Sequence, residues 1–180
     1  MKFDNIAYLK RGNSKQQMVY AVLKEEKIFE KLFQYDPILV GTIPISIDIE
    51  SSDIDIICYF TDKQDFRKSV SDNFKNKQRF TIKEKTDLDS LAIVANFVVN
   101  NFQIEIFGQS IPTKQQFAYR HMLVEHNLLN EHGENFRQKI IDLKRQGYKT
   151  EPAFGIALGL KGDPYLELLK FEKNDSPNRL

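Results

Sequence analysis

The stretch that most constrains this chain runs from residue 39 to residue 60, LVGTIPISIDIESSDIDIICYF. An apolar run stops there at Gly41, and a second one opens with two aspartates. A strand sends alternate side chains to opposite faces, so Asp53, Asp55, Ile57 and Tyr59 are predicted to share one face and Ile54, Ile56, Cys58 and Phe60 the other. Residues two apart on a strand are separated by a rise of roughly 6.6 to 6.8 Å. Two short carboxylate arms reaching inward can bridge that gap with one cation, or with two cations about 3.5 to 4 Å apart.

A chain of 180 residues fits one domain and is long enough to bury a substantial core. Its 26 basic and 25 acidic residues leave a formal charge of +1, so no global field draws in nucleic acid or an anionic membrane, which argues against either as a partner. No apolar run approaches the roughly 18 to 20 residues that span a bilayer, and the start, MKFDN, lacks the apolar core of a signal peptide. A cytoplasmic location is expected. The single cysteine, Cys58, has no partner for an internal disulfide, and the three histidines, His121, His126 and His132, show no zinc-type spacing.

Ser14 with Gln17 reads as a capping box for a helix over about 15 to 33, which Asp36-Pro37 then breaks. Lys10-Arg11 before it is a solvated turn or a phosphate contact. Ile38-Leu39-Val40 reads as a buried strand ended by Gly41. Ile43, Ile45, Ile47 and Ile49 alternate with polar positions around Pro44, which predicts an extended connection lying at an edge, with Asp48 and Glu50 on its wet side. After the strand at 54 to 60, Thr61 with Gln64 caps a helix to about Phe74. Strands follow at 80 to 84 and 91 to 99, and Asn100-Asn101 is a hairpin turn.

The next strand, 102 to 107, sets Glu105 in an apolar context. Burying an isolated carboxylate is costly, so Glu105 must face water, be protonated or meet a cation. The remainder reads as helical: one helix capped by Thr113 and Gln116 and running towards Gly133, a second from Phe136 to Gly147, a third from Thr150 to Gly159 and a fourth from Tyr165 to Phe171, with a polar tail from Lys173. The expected fold is α+β: a mixed sheet of about five strands packed with helices, and a C-terminal helical portion forming one wall of a cleft. Residues 1 to 112 form the core with its N-terminal helix, and residues 113 to 180 the helical portion.

Three carboxylates about 4 Å apart would repel pairwise by about 4 kcal/mol at an effective dielectric of 20. Where such groups converge without histidine or cysteine, a hard divalent cation, Mg²⁺ or Mn²⁺, is the usual compensation. The alternative keeps Asp53 and Asp55 apart from Glu105, each on a wet face or at a turn. The order of strand, Gly41-Thr42, a connection, Ser52-Asp53-Ile54-Asp55-Ile56 and a later strand acid resembles the nucleotidyltransferase superfamily, the DNA polymerase beta-like fold. More narrowly, YDPILVGTIPI (35 to 45), SDIDIIC (52 to 58), YRHM (119 to 122), EPAF (151 to 154) and GDPY (162 to 165) resemble an uncharacterised bacterial family of unknown function within that superfamily.

The resemblance implies that Asp53 and Asp55 hold the metal and that Glu105 completes the site, drawing the proton from the attacking hydroxyl. It also sets Gly41, Thr42 and Ser52 beside the triphosphate of a nucleoside triphosphate. The implied activity is transfer of a nucleoside monophosphate to a small-molecule or protein hydroxyl. The alternatives are a relative that binds nucleotide or metal without turnover, and an interaction module using the helical half. Thr42 stands where serine is usual, and Glu50-Ser51-Ser52 offers no glycine before the aspartates. Arg120 and His121 are either ligands facing the cleft or ordinary surface and core residues.

Overall fold

The computed structural model describes residues 3–86 and 91–172; the polar tail from Lys173 lies outside them. Helix α1 (Ser14–Glu25) starts one residue earlier in its capping logic than the spacing predicts. Asn13 is the cap: its side chain accepts from the Gln16 backbone N–H at 2.9 Å, and Gln16 Oε1 accepts from the Asn13 N–H at 3.0 Å. The single helix predicted to residue 33 is broken at Lys27, whose φ of 52° lies in the left-handed region. A short α2 (Ile28–Lys31) and a 3₁₀ turn at Phe33–Tyr35 follow the break.

Strand β1 (Ile38–Val40) is wholly buried. The extended connection expected over 43 to 49 is instead a coiled loop of turns, with Ser46 at φ 58°. Ile43, Ile45 and Ile47 are all buried, so the alternation of isoleucines reports anchoring in a core and not strand geometry. Side chains from two helices replace the partners a sheet would offer to the loop carbonyls. Lys15 donates to Ile49 at 2.6 Å, Gln16 to Ile43 at 2.8 Å, Arg137 to Ile45 at 2.5 Å and Lys144 to Ile47 at 2.8 Å.

Strand β2 (Ile54–Tyr59) leads into α3 (Lys63–Phe74). Asp62 caps this helix in place of Thr61, accepting from the N–H groups of Gln64 and Asp65. Strands β3 (Gln78–Lys85), β4 (Ala92–Val99) and β5 (Phe102–Gln109) complete the sheet. Asn100 and Asn101 turn the β4–β5 hairpin with φ of 48° and 66°, the paired left-handed geometry of a two-residue type I′ turn. The sheet order is β1-β2-β5-β4-β3; β2 and β5 run parallel and every other pair antiparallel.

Two cores flank the sheet. Residues of α1 and α3 pack on Ile54, Ile56, Cys58, Ile104, Ile106 and Phe97. On the opposite face, Ile38, Val40 and Ile57 meet a helical group. That group comprises α4 (Phe117–His132), α5 (Glu134–Arg145), α6 (Thr150–Leu158) and α7 (Pro164–Leu169). Thr113–Gln115 is a 3₁₀ turn before α4, not the start of the helix, because Gln116 spends its side chain on the carbonyls of Cys58 and Ile111. The helices cover the β1 and β2 side, and a cavity remains between them and the sheet. Among the described residues, no helix is long and apolar enough to cross a membrane.

Candidate functional site

In the parallel register of β2 and β5, Asp55 stands beside Glu105, and on its other flank it pairs with Val40 of β1. Paired residues of neighbouring strands share a face, so both carboxylates look towards the helical side of the sheet. Asp53, just before β2, is turned to a smaller recess lined by Lys15, Ser52, Asn101 and Gln103. There the Gln103 amide donates to Asp53 Oδ2 at 3.0 Å. Among the described residues, no three Asp, Glu, His or Cys side chains gather closely enough to hold an ion as placed. The trio expected from the sequence is therefore a pair, with a third acid held aside by an amide.

The electrostatics match that geometry. Burial, then Glu105, then Asp53 push the Asp55 carboxyl up to about 7, against the weaker pull of Lys144. Burial raises Glu105 as well, opposed by Lys85 and by a hydrogen bond from Asn96. Asp53 is raised by burial and lowered by Lys15. Oxygen-only donors whose ionised forms are disfavoured by desolvation and by each other fit a hard divalent cation, so the residues present suit Mg²⁺ or Mn²⁺.

Gly41 adopts φ 77°, and a Cβ there would come within 2.3 Å of Asp55 Oδ2. The glycine thus serves both a left-handed turn and the close approach of the acid. Thr42 Oγ1 donates to Ser52 Oγ at 3.3 Å, and Ser52 Oγ accepts from the Ile49 N–H at 2.9 Å. These bonds tie the turn after β1 to the approach to β2.

The cavity has a volume of about 560 Å³ and reaches from Gly41, Thr42, Asp55 and Glu105 to the inner faces of α4, α6 and α7. His121 lines it, with Nε2 2.8 Å from the Tyr165 carbonyl oxygen and Nδ1 3.8 Å from Glu151. Arg120 does not: Glu172 holds its guanidinium through two bonds of 2.7 Å, and it lies over the Phe117 ring. Sequence reasoning passed over Glu125, which is 3% exposed on the cavity wall, and Lys144, a buried cation whose charge opposes that of Glu125. Each left a trace. Glu125 falls four residues after His121 and four before Leu129 on one helical face, and Lys144 four after Ile140, so each is a charge inside an apolar stripe.

The model of a family described as a domain of unknown function (DUF4269) matches residues 21–171. The chain belongs to that family. No curated protein matches its sequence. Among solved structures, the family fold seen here resembles the Cid1 poly(U) polymerase with MgGTP bound, at TM-score 0.56 and 12% identity over 79% of this chain and 48% of that one. The same polymerase with Mg 3′-dATP bound is similar at TM-score 0.56 and 13% identity, over 87% and 48% of the two chains. The polymerase core of TRAMP, an RNA surveillance complex, is similar at TM-score 0.50 and 12% identity, over 91% and 50%. The fold is thus a nucleotidyltransferase-like α+β fold, and the chain spans about half the length of these structures.

Proposed function

We propose that this protein is a metal-dependent nucleotidyltransferase that moves a nucleoside monophosphate from a nucleoside triphosphate to the hydroxyl of a small-molecule or protein acceptor. One observation carries the reading: on a nucleotidyltransferase-like fold, Asp55 and Glu105 stand in register at the mouth of a cavity, and Asp55 is pushed up to about 7 by burial and by its neighbour. The formal charge of +1 gives no global field towards nucleic acid, while the similar structures are of a poly(U) polymerase and of the polymerase core of an RNA surveillance complex, so RNA is the competing acceptor class.

Asp55 and Glu105 would hold Mg²⁺ or Mn²⁺, joined by Asp53 once its bond to Gln103 opens. Bound there, the ion would neutralise phosphate charge and orient the phosphates for in-line displacement. Gly41, Thr42 and Ser52 line the side on which a triphosphate would lie, where the glycine keeps the backbone open and the hydroxyls can donate. In the reaction the acceptor oxygen bonds to the α-phosphorus, the bond from that phosphorus to the bridging oxygen breaks, and pyrophosphate leaves. The hydroxyl proton passes to the Glu105 carboxylate. Incubation with α-labelled nucleoside triphosphates and Mg²⁺ or Mn²⁺ tests this: label should transfer in the wild type and fall below detection in Asp55→Asn and Glu105→Gln. Absence of both transfer and metal-nucleotide binding in the wild type overturns the reading.

The Gln103 bond to Asp53 favours a second reading, a protein that binds nucleotide or metal without turnover. Calorimetric binding of metal-nucleotide with no product after hours distinguishes it.

A further inference from the structure

The cavity wall carries four carboxyl groups and one imidazole, His121, whose Nδ1 lies 3.8 Å from Glu151. The carboxyl groups are those of Asp55, Glu105, Glu125 and Glu151, and among the described residues no lysine or arginine lines the wall. The nearby cations are committed elsewhere. Lys144 Nζ donates to the Ile47 carbonyl at 2.8 Å, and Arg120 is held by Glu172. Glu125 is 3% exposed and takes no hydrogen bond from the described residues; burial and then Glu151 raise its carboxyl well above the ordinary carboxylate range, opposed only by Lys144, so a cation brought against it would favour its ionised form.

A second, independent feature points the same way. Gln116 is 2% exposed on the same wall, and its Nε2 donates to the carbonyls of Cys58 at 2.9 Å and Ile111 at 2.8 Å. Those two bonds fix which end of the amide is which, and they leave Oε1 buried with no partner. A buried acceptor left unpaired costs the desolvation of that group, so a donor supplied from the cavity would restore it. Between these polar points the wall is apolar or aromatic, with Phe107, Phe117, Tyr165 and Leu166. Carboxylates and an unmet carbonyl oxygen repel a phosphate and attract an ammonium or another N–H donor. The aromatic faces add to the attraction for a cation.

We infer that the helical end of the cavity takes a small molecule with a protonated amine on an apolar or aromatic body, its ammonium received by Glu125 and Glu151 and a further donor by Gln116 Oε1. Resting on the transferase reading, this molecule is the acceptor, and the triphosphate lies on the opposite, Thr42 and Ser52 side. The volume of about 560 Å³ suits a ligand of that size.

The test is a charge series on the full chain, without metal or nucleotide, read by fluorescence: dansylcadaverine as the cation, its N-acetyl derivative as the neutral analogue and dansyl-6-aminohexanoate as the anion. The cation should bind about tenfold or more tighter than the neutral analogue, and the anion weakest. Glu125→Gln and Glu151→Gln should each remove most of that advantage while leaving the neutral probe's affinity unchanged. Should Glu125→Gln fail to fold, Glu151→Gln decides, because Glu151 is only half-buried. Equal binding of cation and neutral probe, preference for the anion, or no binding of any of the three overturns the inference. Label transfer is measured separately, so loss of amine selectivity with transfer intact removes the amine and leaves the transferase. Amine selectivity without any transfer keeps the pocket and removes the acceptor role.

Discussion

Asp55 carries a large electrostatic cost at the site. Its carboxyl is pushed from 3.8 up to about 7, so folding disfavours its ionised form. Below about pH 4 both folded and unfolded chains hold the proton and the cost is absent. It grows as pH rises towards 7 and stays constant above. Asp55→Asn keeps the shape and removes the charge. In metal-free protein at pH 8 it should therefore raise the thermal midpoint by roughly 5 °C, and at pH 4 by almost nothing, as calorimetry would show. That Asp55 faces the cavity beside Ile57 was legible from strand alternation; that Asp53, expected on the same face, lies before the strand and turns to the smaller recess was not. Nor was its bond from Gln103, because a hydrogen bond across 50 residues leaves no local signature.

At the scale of elements, the loop between β1 and β2 decides where the two aspartates enter the site. It has no ladder of its own, and its carbonyls are met by Lys15 and Gln16 from α1 and by Arg137 and Lys144 from α5. Gln16 is the most connected of these: it completes the Asn13 cap and donates to Ile43 and to Ser46 Oγ. Gln16→Ala leaves buried carbonyls unmet and should cost about 2 to 3 kcal/mol. Urea unfolding should show a lower midpoint with an unchanged slope. The sequence pointed to Ser14 and Gln17 for this cap because spacing is the only local cue. The choice of Asn13 and Gln16 follows from the loop that Gln16 must also reach. The same limit explains why the alternating isoleucines suggested an extended edge: burial in two separate cores yields the same period as a strand.

For the whole molecule, helices and sheet enclose a site that should respond to a divalent ion as a unit. Because Asp55 must lose its proton to bind metal and its carboxyl lies at about 7, each pH unit below 7 should weaken Mn²⁺ binding by about tenfold. At millimolar Mn²⁺ the thermal midpoint should rise by several degrees at pH 8, not at pH 5.5, and not in Asp55→Asn. The alternation of residues 53 to 59 and 102 to 107, the glycine at 41 and the helical spacing after 113 are local patterns, and they alone determined the α+β class and the acids that merit attention. Which acids meet was decided only when β5 docked parallel to β2 and set Asp55 beside Glu105, since pairing between distant strands is governed by packing of the assembled core. The acidic, amide-bearing wall of Glu125, Glu151 and Gln116 likewise exists only in three dimensions: Gln116 and Glu125 come from the cap and body of α4 and Glu151 from α6, and the packing of the two helices over the sheet brings them together.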